Sequence, residues 1–251
     1  MYHYEEYIKF KERYINNIKS IKEIVKYPKI SIADKPNIEL KQSVSSYELI
    51  FDRVGRLLLV QKLNSNYSYV YSYNEKQLES IEELCNGRVT MINKINYDNS
   101  SRIIEEDIQE TFQDKDSRIE NLSYKYINGN TVIINKVTTM DDADFIATET
   151  YNDKRQLISQ KLEDEKEVIY FDFFEYDLNG FKTKQIMANA DGSYDLNDIR
   201  KYNYNGKGLI ISEDGIITYE YKYNSLGDWI ERIRYKEGIL QYVTHRQLEY
   251  Y

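Results

Sequence analysis

Two hydrophobic periods divide the chain. Between Tyr2 and Tyr27 the apolar positions Tyr4, Ile8, Tyr14 or Ile15, Ile18, Ile21 and Val25 recur at helical spacing, with Lys and Glu between them. That pattern predicts one amphipathic α-helix over residues 1–27. No Gly or Pro interrupts it, and Pro28 would stop it. Residues 28–46 contain both prolines of the chain, Pro28 and Pro36, and the run Ser43-Val44-Ser45-Ser46, which reads as a connector. From residue 47 to 251 the period falls to two. Tyr67-Ser68-Tyr69-Val70-Tyr71-Ser72-Tyr73 and Tyr219-Glu220-Tyr221-Lys222-Tyr223 alternate rings with polar residues, which puts the rings on one face of a sheet.

Turn chemistry punctuates these strands. All ten glycines lie beyond residue 54, and six follow Asn or Asp, at Gly87, Gly129, Gly180, Gly192, Gly206 and Gly215. Such pairs supply the positive φ that tight hairpins need. An aromatic followed by Asp or Asn recurs as Phe51-Asp52, Tyr73-Asn74, Tyr97-Asp98, Tyr151-Asn152, Tyr176-Asp177, Tyr204-Asn205 and Tyr223-Asn224, at steps of 22, 24, 54, 25, 28 and 19 residues. Tyr124-Lys125-Tyr126, ahead of Asn128-Gly129, fills the long gap with a degenerate copy. Each unit is a Tyr-bearing strand, a turn opened by the acid or amide, and a return strand such as Trp229–Tyr235. The expected fold is mainly β: a long antiparallel meander of tandem β-hairpin repeats over 47–251. About fifteen strands in a sheet that twists, curls or splits are expected, behind the N-terminal helix.

Composition adds weight to sheet over disorder. Tyr accounts for 26 residues and aromatics for 14% of the chain, whereas disordered chains are poor in both. The net charge of −8 is uneven: Glu105 to Glu175 holds 18 acidic and 8 basic residues, a net of −10. No basic stripe for nucleic acid is visible, and an acidic middle steers toward basic partners. A single Cys85 excludes an internal disulfide framework. No run approaches 18 apolar residues, so no membrane insertion by a helix is expected. The first residues lack signal-peptide character, and the expected address is cytoplasmic, or the surface if a leader has been removed.

No residue set reads as catalytic. His3 and His245 stand at opposite ends of the chain, and with one Cys they make no metal cluster of recognisable spacing. No cofactor is expected. The carboxylates Asp141, Asp142 and Asp144, and Glu163, Asp164 and Glu165, fit no calcium loop. They read first as solvated hairpin tips and second as a docking surface for a basic protein. A hydrolase using such carboxylates, Asp142 or Glu165 among them, is the least favoured reading.

The units Tyr176-Asp177-Leu178-Asn179-Gly180 and Tyr223-Asn224-Ser225-Leu226-Gly227-Asp228-Trp229 resemble the YD-repeat (rearrangement-hotspot, Rhs) family, over about 200 residues. The resemblance implies β-hairpin repeats. Large members of that family wind such repeats into a shell around a toxin, and YD repeats are also associated with carbohydrate binding. This chain is too short to enclose a toxin and lacks the Asp-Pro-containing self-cleavage region. It looks more like the short, leaderless binders, including immunity proteins that neutralise a toxin. The expectation is therefore a non-enzymatic module that binds another protein, a toxin or effector with a basic surface, with a carbohydrate-binding module as the alternative.

Overall fold

In the computed structural model the described residues are 18–28, 40–75, 77–110, 118–127, 131–138, 145–164 and 167–251. They form strands and one 3-10 turn, Leu196–Asp198, with no α-helix among them. In chain order the first six strands are β1 (Ile18–Pro28), β2 (Leu40–Phe51), β3 (Leu57–Lys62), β4 (Tyr67–Asn74), β5 (Gln77–Cys85) and β6 (Arg88–Tyr97). The next six are β7 (Ile103–Glu110), β8 (Arg118–Ile127), β9 (Thr131–Thr138), β10 (Phe145–Tyr151), β11 (Leu157–Glu163) and β12 (Val168–Tyr176). The last six are β13 (Lys182–Ala188), β14 (Ile199–Tyr204), β15 (Ile210–Glu213), β16 (Ile217–Tyr223), β17 (Trp229–Lys236) and β18 (Ile239–Tyr250).

The predicted antiparallel hairpin meander is the observed fold. Among the described residues seventeen strands follow from Leu40 onward, more than the fifteen expected, because strands as short as Ile210–Glu213 fit between the turns. The chain divides into two units. Unit 1 comprises Met1–Tyr73, Ile81–Val89 and Ile217–Tyr251, and unit 2 comprises Asn74–Ser80 and Thr90–Ile216. Unit 1 orders its strands β16-β17-β18-β1-β2-β3-β4, each antiparallel to the next. Unit 2 runs β6 through β15 in chain order, again antiparallel throughout.

The N-terminal helix is corrected over its second half: Ile18–Pro28 is strand β1, and residues 1–17 lie outside the described residues. The reason is tertiary. Ile18, Ile21, Ile24 and Val25 are β-branched and suit a pleated surface. A site between β18 and β2 offers hydrogen bonds on both sides, pairing Ile21 with Leu248 and with Leu49. Ile21 is fully buried there, worth about 1.5–3 kcal/mol for such a side chain. The connector shrinks as well, since its residues 40–46 belong to β2. In unit 1, Leu57 and Thr244 join Ile21 as fully buried side chains. In unit 2, Leu122 and Val132 anchor a cluster with Ile108, Tyr124, Tyr126, Ala147 and Tyr151.

The aromatic–Asx anchors build one recurring loop. At Asp52, Asp98, Asn152, Asp177, Asn205 and Asn224 the backbone N–H donates to the carbonyl four residues on, and the carbonyl accepts from the N–H three residues on. The side-chain oxygen accepts from the N–H groups two and four residues on, at 2.8–3.0 Å. This is a type I turn closed by a left-handed residue in a bulge. That residue is Gly55, Gly180, Gly208 or Gly227, but also Ser101 and Arg155. Tyr73-Asn74 departs from the pattern: Asn74 ends β4 and Glu75 follows at φ 52°. The Asn-Gly and Asp-Gly pairs do two jobs. Asn86-Gly87 and Asp214-Gly215 are two-residue hairpin tips with both φ positive, whereas in Asn205-Gly206 the left-handed residue is Gly208.

The tyrosines lock these loops. Tyr73, Tyr126, Tyr176 and Tyr204 donate their hydroxyls to the carbonyls of Leu57, Ile103, Leu157 and Lys182 at 2.8–2.9 Å. Each acceptor lies six residues past the preceding anchor, so one repeat's ring closes the previous repeat's turn. Where the fifth residue past the anchor is arginine, its guanidinium also bridges both parts. Arg56 binds the Asp52 carboxylate and lies over Tyr73, and Arg102 does the same with Asp98 and Tyr126.

Candidate functional site

Of the acidic residues expected to bind a partner, Glu163 closes β11 and is half-buried, in an ion pair with Lys161 at 2.6 Å. Asp164 opens the following turn and accepts from the Glu167 N–H at 2.8 Å. Asp141, Asp142, Asp144 and Glu165 lie outside the described residues. Strands alternate in direction, so the β11–β12 and β13–β14 connections fall at the same end of unit 2. That second connection carries Asp191, Asp195 and Asp198. Hydrogen bonds from the Ser193 hydroxyl and N–H hold the Asp191 carboxyl below its usual range. The chemistry of this end is that of an anionic, hydrogen-bonded surface.

Two polar–aromatic faces were not anticipated. In unit 2 the carboxylates sit among hydroxyls and amides. Tyr124 donates to Glu106 at 2.5 Å, with Asn93 donating to the other Glu106 oxygen at 2.8 Å. Tyr151 donates to Glu149 at 2.5 Å and Gln185 to Asp172 at 2.9 Å. Burial, and after it the negative charge of Glu106, pushes the Tyr124 hydroxyl far above its ordinary value, so it stays a donor.

In unit 1 the charge partners are arginines. Arg246 is buried and lies 3.4 Å from the centre of the Trp229 ring, paired with the Glu23 carboxylate. Burial alone would draw the Arg246 guanidinium well below its ordinary value; the adjacent carboxylate compensates the positive charge. Arg232 lies over Tyr219 and Trp229, at 5.9 and 5.4 Å, and Arg234 over Tyr242 at 5.5 Å. The alternation Arg232-x-Arg234 and Tyr242-x-Thr244-x-Arg246 was present in the sequence as a period-two signal. That signal does not mark a buried face, because arginine in a strand ordinarily marks the solvent side.

Unit 2 also has a groove of about 540 Å³ lined by Asn74, Gln77, Glu79, Lys94, Asn96 and Tyr97, among others. Its amides and charges flank a tyrosine whose hydroxyl is tied to the Leu78 carbonyl at 2.9 Å. His245 has its Nδ1 3.3 Å from Glu231, and burial with Lys26 nearby lowers its pKa. Cys85 is half-buried, with the Asn86 amide 3.6 Å from its sulfur. Among the described residues no group of His, Cys, Asp and Glu is arranged to hold a metal ion, and no helix is long and apolar enough to cross a membrane.

No family model matches the chain, and no curated protein is similar to it. Among solved structures it is similar to a chain of the TcdB2-TccC3-Cdc42 complex, at 13% identity and a TM-score of 0.37 over 78% of its length. A chain of TcdB2-TccC3-TEV matches at 10% identity and 0.30 over 82%. The chain spans only 12% and 16% of those two proteins. A porin-like protein from Bacteroides uniformis matches at 9% identity and a TM-score of 0.34, covering 92% of this chain and 96% of that one. These likenesses are distant, and the functional reading rests on this chain's own residues.

Proposed function

We propose that this chain is a YD-repeat-like, non-enzymatic protein-binding module of the immunity type, whose partner is a toxin or effector with a basic surface. The observation that carries the reading is the anionic end of unit 2, where Glu163 ends β11 and Asp164, Asp191, Asp195 and Asp198 occupy two connections on one side. A rigid strand framework presents them, so little ordering is needed on binding. Carboxylates so placed speed encounter with a cationic partner and select against acidic ones. Co-purification of the tagged chain with the products of its neighbouring genes tests this. The expected outcome is one basic protein, retained at low salt and lost from an Asp164→Lys, Asp195→Lys, Asp198→Lys variant. Retention unchanged by those reversals and by salt would refute it.

A second reading, a carbohydrate-binding module, draws on the groove lined by Asn74, Gln77, Glu79, Lys94, Asn96 and Tyr97, since amide and charged side chains beside a tyrosine suit sugar hydroxyls. A glycan array showing no ligand removes it; a ligand lost on Asn96→Ala would favour it over the first.

A further inference from the structure

Arg232 on β17 and Thr244 on β18 are direct cross-strand partners and so share one face of unit 1. The Arg232 Nε and the Thr244 Oγ1 are both buried, and neither has a hydrogen-bond partner. Thr244 is fully buried, paired on its other side with Val25 of β1. An orphaned buried polar group is costly, more so when it is charged, so two on one cross-strand pair call for an occupant.

The surroundings specify its chemistry. The Arg232 guanidinium lies 5.4 Å from the Trp229 ring and 5.9 Å from the Tyr219 ring, and its buried Nε–H has no acceptor. Arg234 and Arg246 flank the pair two residues away on the same strands and therefore on the same face. Among the described residues of β16, β17, β18 and β1, this face carries three guanidiniums and one carboxylate, Glu23. Glu220 and Glu231 point the other way, paired with Ile233 and His245. A water would satisfy hydrogen bonds without answering the charge. A carboxylate's two oxygens are filled by a single guanidinium fork. Donors from two strands, with a hydroxyl beside a guanidinium, suit an anion with three or four oxygens.

We propose that Arg232 and Thr244, between Arg234 and Arg246, form a binding site for a tetrahedral oxyanion of the phosphate class, either free or as a phosphomonoester. The probe is inorganic phosphate, titrated calorimetrically into the full chain at constant ionic strength, with chloride and acetate as controls. Saturable binding at one site is expected, with acetate much weaker. Thr244→Val keeps the shape and removes the orphaned hydroxyl. In phosphate-free buffer it should unfold at the same or a higher temperature than the parent, while binding phosphate about tenfold more weakly. Arg232→Gln should abolish binding. Three results would each overturn the site: no saturable phosphate heat, Thr244→Val retaining the parent affinity, or acetate binding as well as phosphate. Glycerol 2-phosphate separates the two sources, since equal affinity points to a monoester and exclusion to the free ion.

Discussion

One face in each unit sets tyrosine against opposite charges. In unit 2 the hydroxyl does the bonding: Tyr124 and Tyr151 donate to Glu106 and Glu149. On the unit 1 face the rings lead: Tyr219, Tyr242 and the neighbouring Trp229 lie under Arg232, Arg234 and Arg246, and the Tyr219 hydroxyl joins them, accepting from Arg234 at 3.4 Å. The phenol is acid at its tip and electron-rich on its face, so one ladder accommodates either sign. An alternating-Tyr strand therefore fixes the sheet and leaves its electrostatics to the residues opposite.

The largest effect should come from the most buried charge. Glu23→Gln leaves Arg246 over Trp229 without its carboxylate, and breaking a buried pair in this way costs about 3–5 kcal/mol. Urea unfolding measures it. A loss below about 1 kcal/mol would mean that Trp229, not Glu23, holds the guanidinium. Next is Tyr221→Ala. The Tyr221 ring meets Trp229 edge-on at 5.9 Å and lies 6.4 Å from Tyr223, and its removal should cost about 2–4 kcal/mol. A cost near zero would place that ladder outside the core of unit 1.

Deleting a single oxygen tests the comparison directly. Tyr124→Phe removes a hydrogen bond to a carboxylate in unit 2, at an expected cost of about 1.5–3 kcal/mol. Tyr242→Phe in unit 1 keeps the ring under Arg234 and against Tyr27, and should change stability by less than about 0.5 kcal/mol. Equal losses from the two would erase the distinction between hydroxyl and ring.

Much of the architecture could be read from the chain because it rests on local chemistry. Asp or Asn with Gly three residues on encodes the bulged loop, and period-two tyrosines encode the strands. Tyr126 locks a turn although its repeat is degenerate, because the hydroxyl needs only the right distance from Ile103. Strand β1 carries helical spacing, which is a local signal, while its pairing with β18 joins residues 230 positions apart, as Lys19 and Glu249 show. The arginine face is hidden twice over: arginine in a strand ordinarily marks the solvent side, and the Glu23 that pairs with Arg246 is 223 residues away. Ser101 and Arg155 hold left-handed conformations that glycine would have advertised, so their loops were recognised by the Asx residue alone.

The smallest effect belongs to the loops, where the units should agree. Asp98 is held below its ordinary value by the Arg102 backbone N–H and side chain. At Asp52 burial opposes the shift, and the Arg56 backbone and guanidinium outweigh it. A carboxyl whose pKa is depressed on folding stabilises the protein fully above its unfolded value, about 3.9, and loses that contribution as pH falls through the folded value. Asn fills the same position at 152, 205 and 224, so Asp98→Asn and Asp52→Asn should retain the loop while removing the titration. Urea midpoints of parent and variant should differ by a constant amount above pH 5 and converge as the pH drops below about 4. A difference that ignores pH in one unit alone would show that the shared turn motif, like the tyrosine above it, takes its electrostatics from its surroundings.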